Sequence, residues 1–213
     1  MVLKGRSIVP GRYVRRVRAC SVILMCLALS VCTYFPTKPT MDIGDGGFLS
    51  GEPCGPPCLW GIVPGETTEA EVVEILEQRG IYAACETRVS KFVEGSKGID
   101  CGSRVFISFE QGDDRVQGVY FKPSSSITVQ EVIAKYGAPD GVLVYPESVP
   151  EHPRISVYLI YSSMLSRLEL PTQEWPGYIV EPSTPILSVF YTAQPSDIRD
   201  SLFLKRWIGY GEY

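Results

Sequence analysis

Histidine is almost missing. The single residue, His152, sits between Pro150 and Pro153, and a lone imidazole in a proline-flanked loop reads as a solvated side chain before it reads as a base or a ligand. The chain has no G-x-S-x-G, no phosphate-cradling glycine loop and no H-E-x-x-H. No familiar hydrolase, nucleotide or zinc-protease chemistry is therefore written in it. Cys54-Gly55-Pro56-Pro57-Cys58 spaces its thiols as C-x-x-x-C, not as the C-x-x-C of thiol oxidoreductases. Glu66, Glu69, Glu71, Glu74 and Glu77 crowd one stretch, where one caps a helix and the rest form a solvated face near its positive end. No cofactor and no metal are expected, and no catalytic residue is named.

Positive charge is also scarce beyond the N-terminus. Lys4, Arg6, Arg12, Arg15, Arg16 and Arg18 precede an apolar run from Ala19 to Cys32, with no acid among residues 1–18. The run has the length of a signal h-region and is short for a membrane span of about 20 residues. Removing residues 1–31 takes six of the 20 cations and none of the 24 acids, which leaves 14 against 24, a net of −10. No basic patch remains, so nucleic acid is not an expected partner.

Leu29-Ser30-Val31-Cys32 closes the apolar run. It resembles a bacterial lipoprotein signal, in which Leu three positions before a Cys directs lipid attachment to that Cys and cleavage before it. Val31 stands where a small residue is usual, so an uncleaved N-terminal anchor is the alternative. The resemblance implies lipidation of Cys32 and an extracytoplasmic, membrane-anchored place in a bacterial cell envelope, with the membrane engaged through that lipid or the apolar N-terminus. Residues 32–53, rich in Pro, Thr, Gly and Asp, read as a flexible tether. Asp42 and Asp45 in DIGDGG lack the spacing of a calcium loop.

Residues 54–213 suffice for one cored domain. Within it one pattern recurs. Thr68, Glu71, Val72, Val73 and Leu76 are matched by Thr128, Glu131, Val132, Ile133 and Tyr136, a T-x-x-E capping box that starts a short amphipathic helix each time. Gly80 and Gly137 supply helix ends. Strand-like alternation follows each helix, as in Val105, Ile107 and Phe109, or Ile155, Val157, Leu159 and Tyr161. The expected fold is α+β: two helix-plus-antiparallel-meander repeats, 59–121 and 122–192, with the helices on one antiparallel sheet, and an extension from 193 to 213. A strap is expected across Pro171–Pro185, and a short helix from Ser196 to near Arg206.

The runs Gly61–Val72 and Thr128–Pro139 carry a further resemblance. Their helix-plus-meander pattern is similar to that of the β-lactamase-inhibitor-like proteins and of small envelope lipoproteins of the outer-membrane-assembly type. The resemblance covers residues 59–170 and implies a protein-binding fold with no catalytic centre.

Four cysteines lie after the tether: Cys54, Cys58, Cys85 and Cys101. An even number in an exported domain implies disulfides. Of three possible pairings, Cys54–Cys58 with Cys85–Cys101 is preferred, and crossed pairing is the alternative. Aromatic residues are plentiful, and Trp60, Tyr158, Trp175, Tyr178, Trp207 and Tyr210 are the candidate binding residues, since aromatics enrich at binding surfaces as well as covering sheets. The function expected is that of a non-enzymatic envelope protein whose domain binds a protein or the cell wall. The alternatives are an envelope enzyme or a glycan- or small-molecule-binding protein with an unidentified site, and, by fold analogy, a hydrolase inhibitor.

Overall fold

The computed structural model describes residues 41–89, 97–109, 112–147, 154–174, 177–194 and 203–213. All belong to one unit that begins at Pro39. Cys32, His152, Trp175 and Ser196 lie outside the described residues.

Two helices form where the capping boxes stand, α1 (Glu69–Gln78) and α2 (Val129–Tyr136). At each start the threonine hydroxyl accepts from the backbone N–H three residues on, and the glutamate carboxylate accepts from the threonine N–H at 2.8 Å. These reciprocal bonds satisfy donors that a helix start otherwise leaves orphaned. The α1 end is a Schellman turn. Gly80, at φ +69°, donates to the Glu77 carbonyl, and Ile81 donates to that of Leu76. Val72 and Leu76 bury one face of α1, and Val129 and Val132 one face of α2.

The strands are β1 (Cys85–Val89), β2 (Lys97–Cys101), β3 (Val105–Phe109), β4 (Val116–Phe121), β5 (Gly141–Glu147), β6 (Arg154–Tyr161), β7 (Ser166–Glu169), β8 (Gln173–Glu174), β9 (Ile179–Val180), β10 (Ser188–Thr192), β11 (Leu204–Arg206) and β12 (Gly211–Glu212). Nine of them run in the order β1-β2-β3-β4-β10-β7-β6-β5-β11, with β8 added on β6, while β9 and β12 form a separate ribbon. Every pairing is antiparallel. Among the described residues the architecture is mostly antiparallel sheet with two α-helices, a loose α+β arrangement.

Residues directly opposite in an antiparallel pair share a face. The row Val105, Phe121, Val189, Leu168, Leu159 and Val142 therefore crosses six strands on the core side, and all six are buried. Each helix start is stitched to the residues leading into a central strand. Glu69 donates to the Asp114 carbonyl and Val116 to that of Thr67; Val129 donates to the Thr184 carbonyl and Ile186 to that of Ile127.

Three expectations are corrected. Residues 41–53, read as tether, are folded against the domain. The Asp45 carboxylate accepts from the N–H groups of Gly47 and Leu49, Ile43 donates to the Ser124 hydroxyl, and Phe48 is fully buried. Its ring meets that of Tyr136 at 5.4 Å, and the Tyr136 hydroxyl donates to the Phe48 carbonyl. Glycine here is structural, because at Gly46 (φ +66°) a Cβ would lie 2.6 Å from the Phe121 ring. Leu204–Arg206, expected to end a helix, is instead a strand paired with β5. The strap between Pro171 and Pro185 contributes the two short strands β8 and β9.

Candidate functional site

The face of the sheet opposite the core carries a second row in register: Asp100, Phe106, Tyr120, Phe190, Arg167 and Ile160, on β2, β3, β4, β10, β7 and β6. Period-2 alternation sends these side chains away from the core row. Phe106, Tyr120, Arg167 and Phe190 are half-buried, whereas Ile160 at the β6 end of the row is buried. Two glycines set how the rings lie. A Cβ on Gly98 would come within 2.4 Å of the Phe106 ring, and one on Gly118 within 2.9 Å of the Phe190 ring. Each phenyl thus covers a bare patch of backbone, which no other residue type at positions 98 and 118 would leave open.

Arg167 joins this row to the next. Its guanidinium lies 4.7 Å from the centre of the Phe190 ring and 5.4 Å from that of Tyr158, within cation–π range of both. Tyr158 and Glu169 face one another across β6 and β7. Burial, and then the Glu169 charge, raise the Tyr158 phenol above its ordinary range, so it is neutral and can donate a hydrogen bond. Glu169 accepts from the Ser188 hydroxyl. On Tyr120, the Lys122 ammonium lies 6.0 Å from the ring centre. The result is a half-exposed field of rings around a guanidinium, with hydroxyl and carboxylate groups between.

The other named aromatics do not join this field in one cluster. Trp60, in the left-handed region at φ 59° and buried, lies under the Arg79 guanidinium at 4.8 Å. Both line a cleft of about 310 Å³ with Met41, Asp42, Asp45 and Glu52. Two of those acids are engaged in holding the loop. Asp42 is held low by the Gly44 N–H and then by the Ser124 hydroxyl. In Asp45, burial raises the pKa, but the N–H groups of Ser50, Gly47 and Leu49 together outweigh it and hold the carboxyl low.

Tyr178 is fully buried, and its hydroxyl has no partner among the described residues. It is a core residue; burial raises its pKa. Trp207 stacks on Tyr213 at 5.8 Å and meets Tyr210 edge-on at 5.9 Å, and the Tyr213 N–H donates to the Tyr178 carbonyl. This cluster fastens the C-terminal residues to β9.

Cys54 and Cys58 have their sulfurs 2.00 Å apart, and Cys85 and Cys101 theirs at 1.94 Å. Both pairs are disulfides. The second fastens β1 to β2, and the first closes a five-residue ring whose two sulfurs both accept from the Gly61 N–H. Among the described residues no group of three His, Cys, Asp or Glu side chains is placed to hold a metal ion, and no helix is long and apolar enough to cross a membrane.

Sequence reasoning missed Phe106, Tyr120, Phe190 and Arg167. A signal was present: each aromatic interrupts an apolar alternation at an outward position, and Gly98 and Gly118 fall inside strand patterns. Turning that into a surface required the register across β4 and β10. The chain matches no protein-family model, no curated protein and no solved structure.

Proposed function

We propose that this chain is an exported, lipid-anchored protein of the bacterial cell envelope that acts by binding another protein rather than by catalysis. The lipid is carried on Cys32, and the binding surface is the outward row of Phe106, Tyr120, Phe190, Arg167 and Tyr158. That row is the single observation carrying the reading. Tyr and Arg dominate binding energy at protein interfaces, and rings held in place by packing lose little entropy when a partner arrives. The two acids tied to loop amides in the Trp60 cleft weigh against acid–base chemistry there.

We also propose that the domain is a tandem of two helix-plus-meander repeats, and the helix starts support this. In this view α1 with β1–β4 is one repeat, and α2 with β5, β6, β7 and β10 is the other, with equivalent backbone bonds at Glu69 and Val129 and at Val116 and Ile186. The similarity to β-lactamase-inhibitor-like and outer-membrane-assembly lipoprotein domains is part of the same proposal.

The test is affinity capture from detergent extracts of envelope membranes with the full chain as bait. Arg167→Ala and Tyr120→Ala, both outward on the sheet, are expected to lose the captured protein while the domain melts within a few degrees of the parent. Trp207→Ala, on the C-terminal cluster, is expected to keep it. Equal capture by all four baits would refute the sheet-face reading. Binding to isolated cell-wall polymer that Arg167→Ala weakens would replace the protein partner with a glycan.

A further inference from the structure

The sheet has an edge at β1. Among the described residues β1 pairs with β2 alone, and Glu86, Thr87, Arg88 and Val89 are all exposed, Val89 at 72%. An exposed edge is a template for another strand. Its outward backbone groups follow from the pairing with β2. The Cα atoms of Cys85 and Cys101 are 4.0 Å apart, the short spacing of a non-hydrogen-bonded pair, whereas a bonded pair stands at about 5.5 Å. The Cys101 carbonyl agrees, because it is turned the other way and accepts from Arg104. Alternation then turns the N–H and C=O of Glu86 and Arg88 toward β2. Those of Thr87 and Val89 and the carbonyl of Cys85 face outward, while the Cys85 N–H donates to Tyr82.

We propose that this edge pairs antiparallel with the same edge of a second copy, about a two-fold axis through Thr87. Thr87 and its symmetry mate exchange two backbone hydrogen bonds. Val89 of each copy donates to the Cys85 carbonyl of the other, which adds two more. Glu86 then stands opposite Arg88 of the second copy, and Arg88 opposite Glu86, in the non-hydrogen-bonded positions where side chains are closest. Within one chain Arg88 already pairs with Glu86 at 3.2 Å and Asp100 at 3.1 Å. The two-fold joins the two sets into one alternating network.

Charge selects this register. An axis through Glu86 would set Glu86 against itself, and one through Arg88 would set Arg88 against itself, both unfavourable. An axis between residues would set an outward-facing backbone against an inward-facing one and lose the ladder. The opposite end of the sheet, β11, reads Leu204-Lys205-Arg206 and offers no acid to Arg88; pairing β1 with it would also run head to tail and build a ring or a filament in place of a two-fold dimer. The proposal is independent of the aromatic face.

A contact of four backbone bonds belongs to the weak, transient class, so the test traps it covalently. In the full chain in detergent, Thr87→Cys places two thiols at the axis, at a Cα spacing of about 5.5 Å that lies within disulfide range. Mild oxidation is expected to give a species of twice the mass, with peptide mapping placing the new bridge at position 87. Adding Glu86→Arg or Arg88→Glu to that chain opposes like charges and is expected to cut the trapped fraction about tenfold. The double reversal is expected to restore it, and a mixture of the two single reversals is expected to trap as a heterodimer. No dimer from a Thr87→Cys chain that melts like the parent, either on oxidation or with a short bis-thiol cross-linker that tolerates the wider Cβ spacing of a hydrogen-bonded pair, would overturn the proposal. So would a dimer indifferent to charge reversal, or growth into larger assemblies.

Discussion

Phe48→Ala is the sharpest test of the folded N-terminal segment. Phe48 is fully buried and its ring packs on Tyr136 at 5.4 Å. Truncating a buried phenylalanine to alanine costs about 3–5 kcal/mol, transfer and cavity together. For a domain of this size each kcal/mol moves the melting midpoint by about 2–4 °C, so a fall of roughly 10 °C is expected. Urea unfolding of the full chain in detergent, followed by tryptophan fluorescence, reads the same change as a shifted midpoint. A companion variant, Tyr136→Phe, keeps the ring contact and removes only the hydroxyl that donates to the Phe48 carbonyl, at a cost of about 1 kcal/mol. Limited proteolysis supplies an independent readout: residues 41–53 resist cleavage in the parent and become a cutting site in Phe48→Ala. A loss below about 1 kcal/mol for Phe48→Ala, with residues 41–53 cut equally in both proteins, would refute the reasoning and return the segment to a tether.

Thr68→Ala and Thr128→Ala each remove an N-cap and are expected to cost about 1 kcal/mol by urea midpoint, additively in the double variant. Asp45→Ala is expected to destabilise the domain at neutral pH. Because the folded Asp45 carboxyl is held below its unfolded value, its contribution is fully present above the unfolded pKa of about 3.9 and disappears as pH falls through the folded value. The gap between parent and Asp45→Ala in urea titrations should therefore close in acid; a gap unchanged from pH 7 to pH 2 would remove the charged carboxylate from the explanation. Cys32→Ser is expected to abolish incorporation of labelled lipid in a bacterial host, and unchanged labelling would sink the lipoprotein reading.

What the sequence disclosed was local. Thr68 with Glu71 and Thr128 with Glu131 are read directly, because a capping box closes within four residues. Val105, Ile107 and Phe109 are likewise placed on one face by alternation alone. Pairings between distant segments are not readable in this way. Nothing in Ser188–Thr192 announces that it lies between β4 and β7. The row from Phe106 through Tyr120 and Phe190 to Arg167 exists only once that placement is known. Residues 41–53 failed for a different reason. Gly and Asp compose linkers and tight loops alike, and only the burial of Phe48 separates them. Leu204–Arg206 has no strong period and takes its strand conformation from the neighbouring edge of β5.

The place of β10 in the sheet has a consequence for synthesis. β4 is complete at Phe121, but the strand that covers its far side begins at Ser188, 67 residues downstream (188 less 121). A chain delivered N-terminus first, from a ribosome or through an export channel, presents β4 ahead of β10 by that interval, roughly 3–13 s at a synthesis rate of about 5–20 residues per second. Throughout it the uncharged segment Val-Gln-Gly-Val-Tyr-Phe can present an unpaired border with high strand propensity. A nascent first half is thus adhesive until its sequel arrives, and a chain truncated before residue 188 keeps that stickiness permanently. Handling the unfinished polypeptide then falls to whatever shields naked strands in the compartment where the domain folds, a demand made by the order in which the gene is read and invisible in the finished sheet.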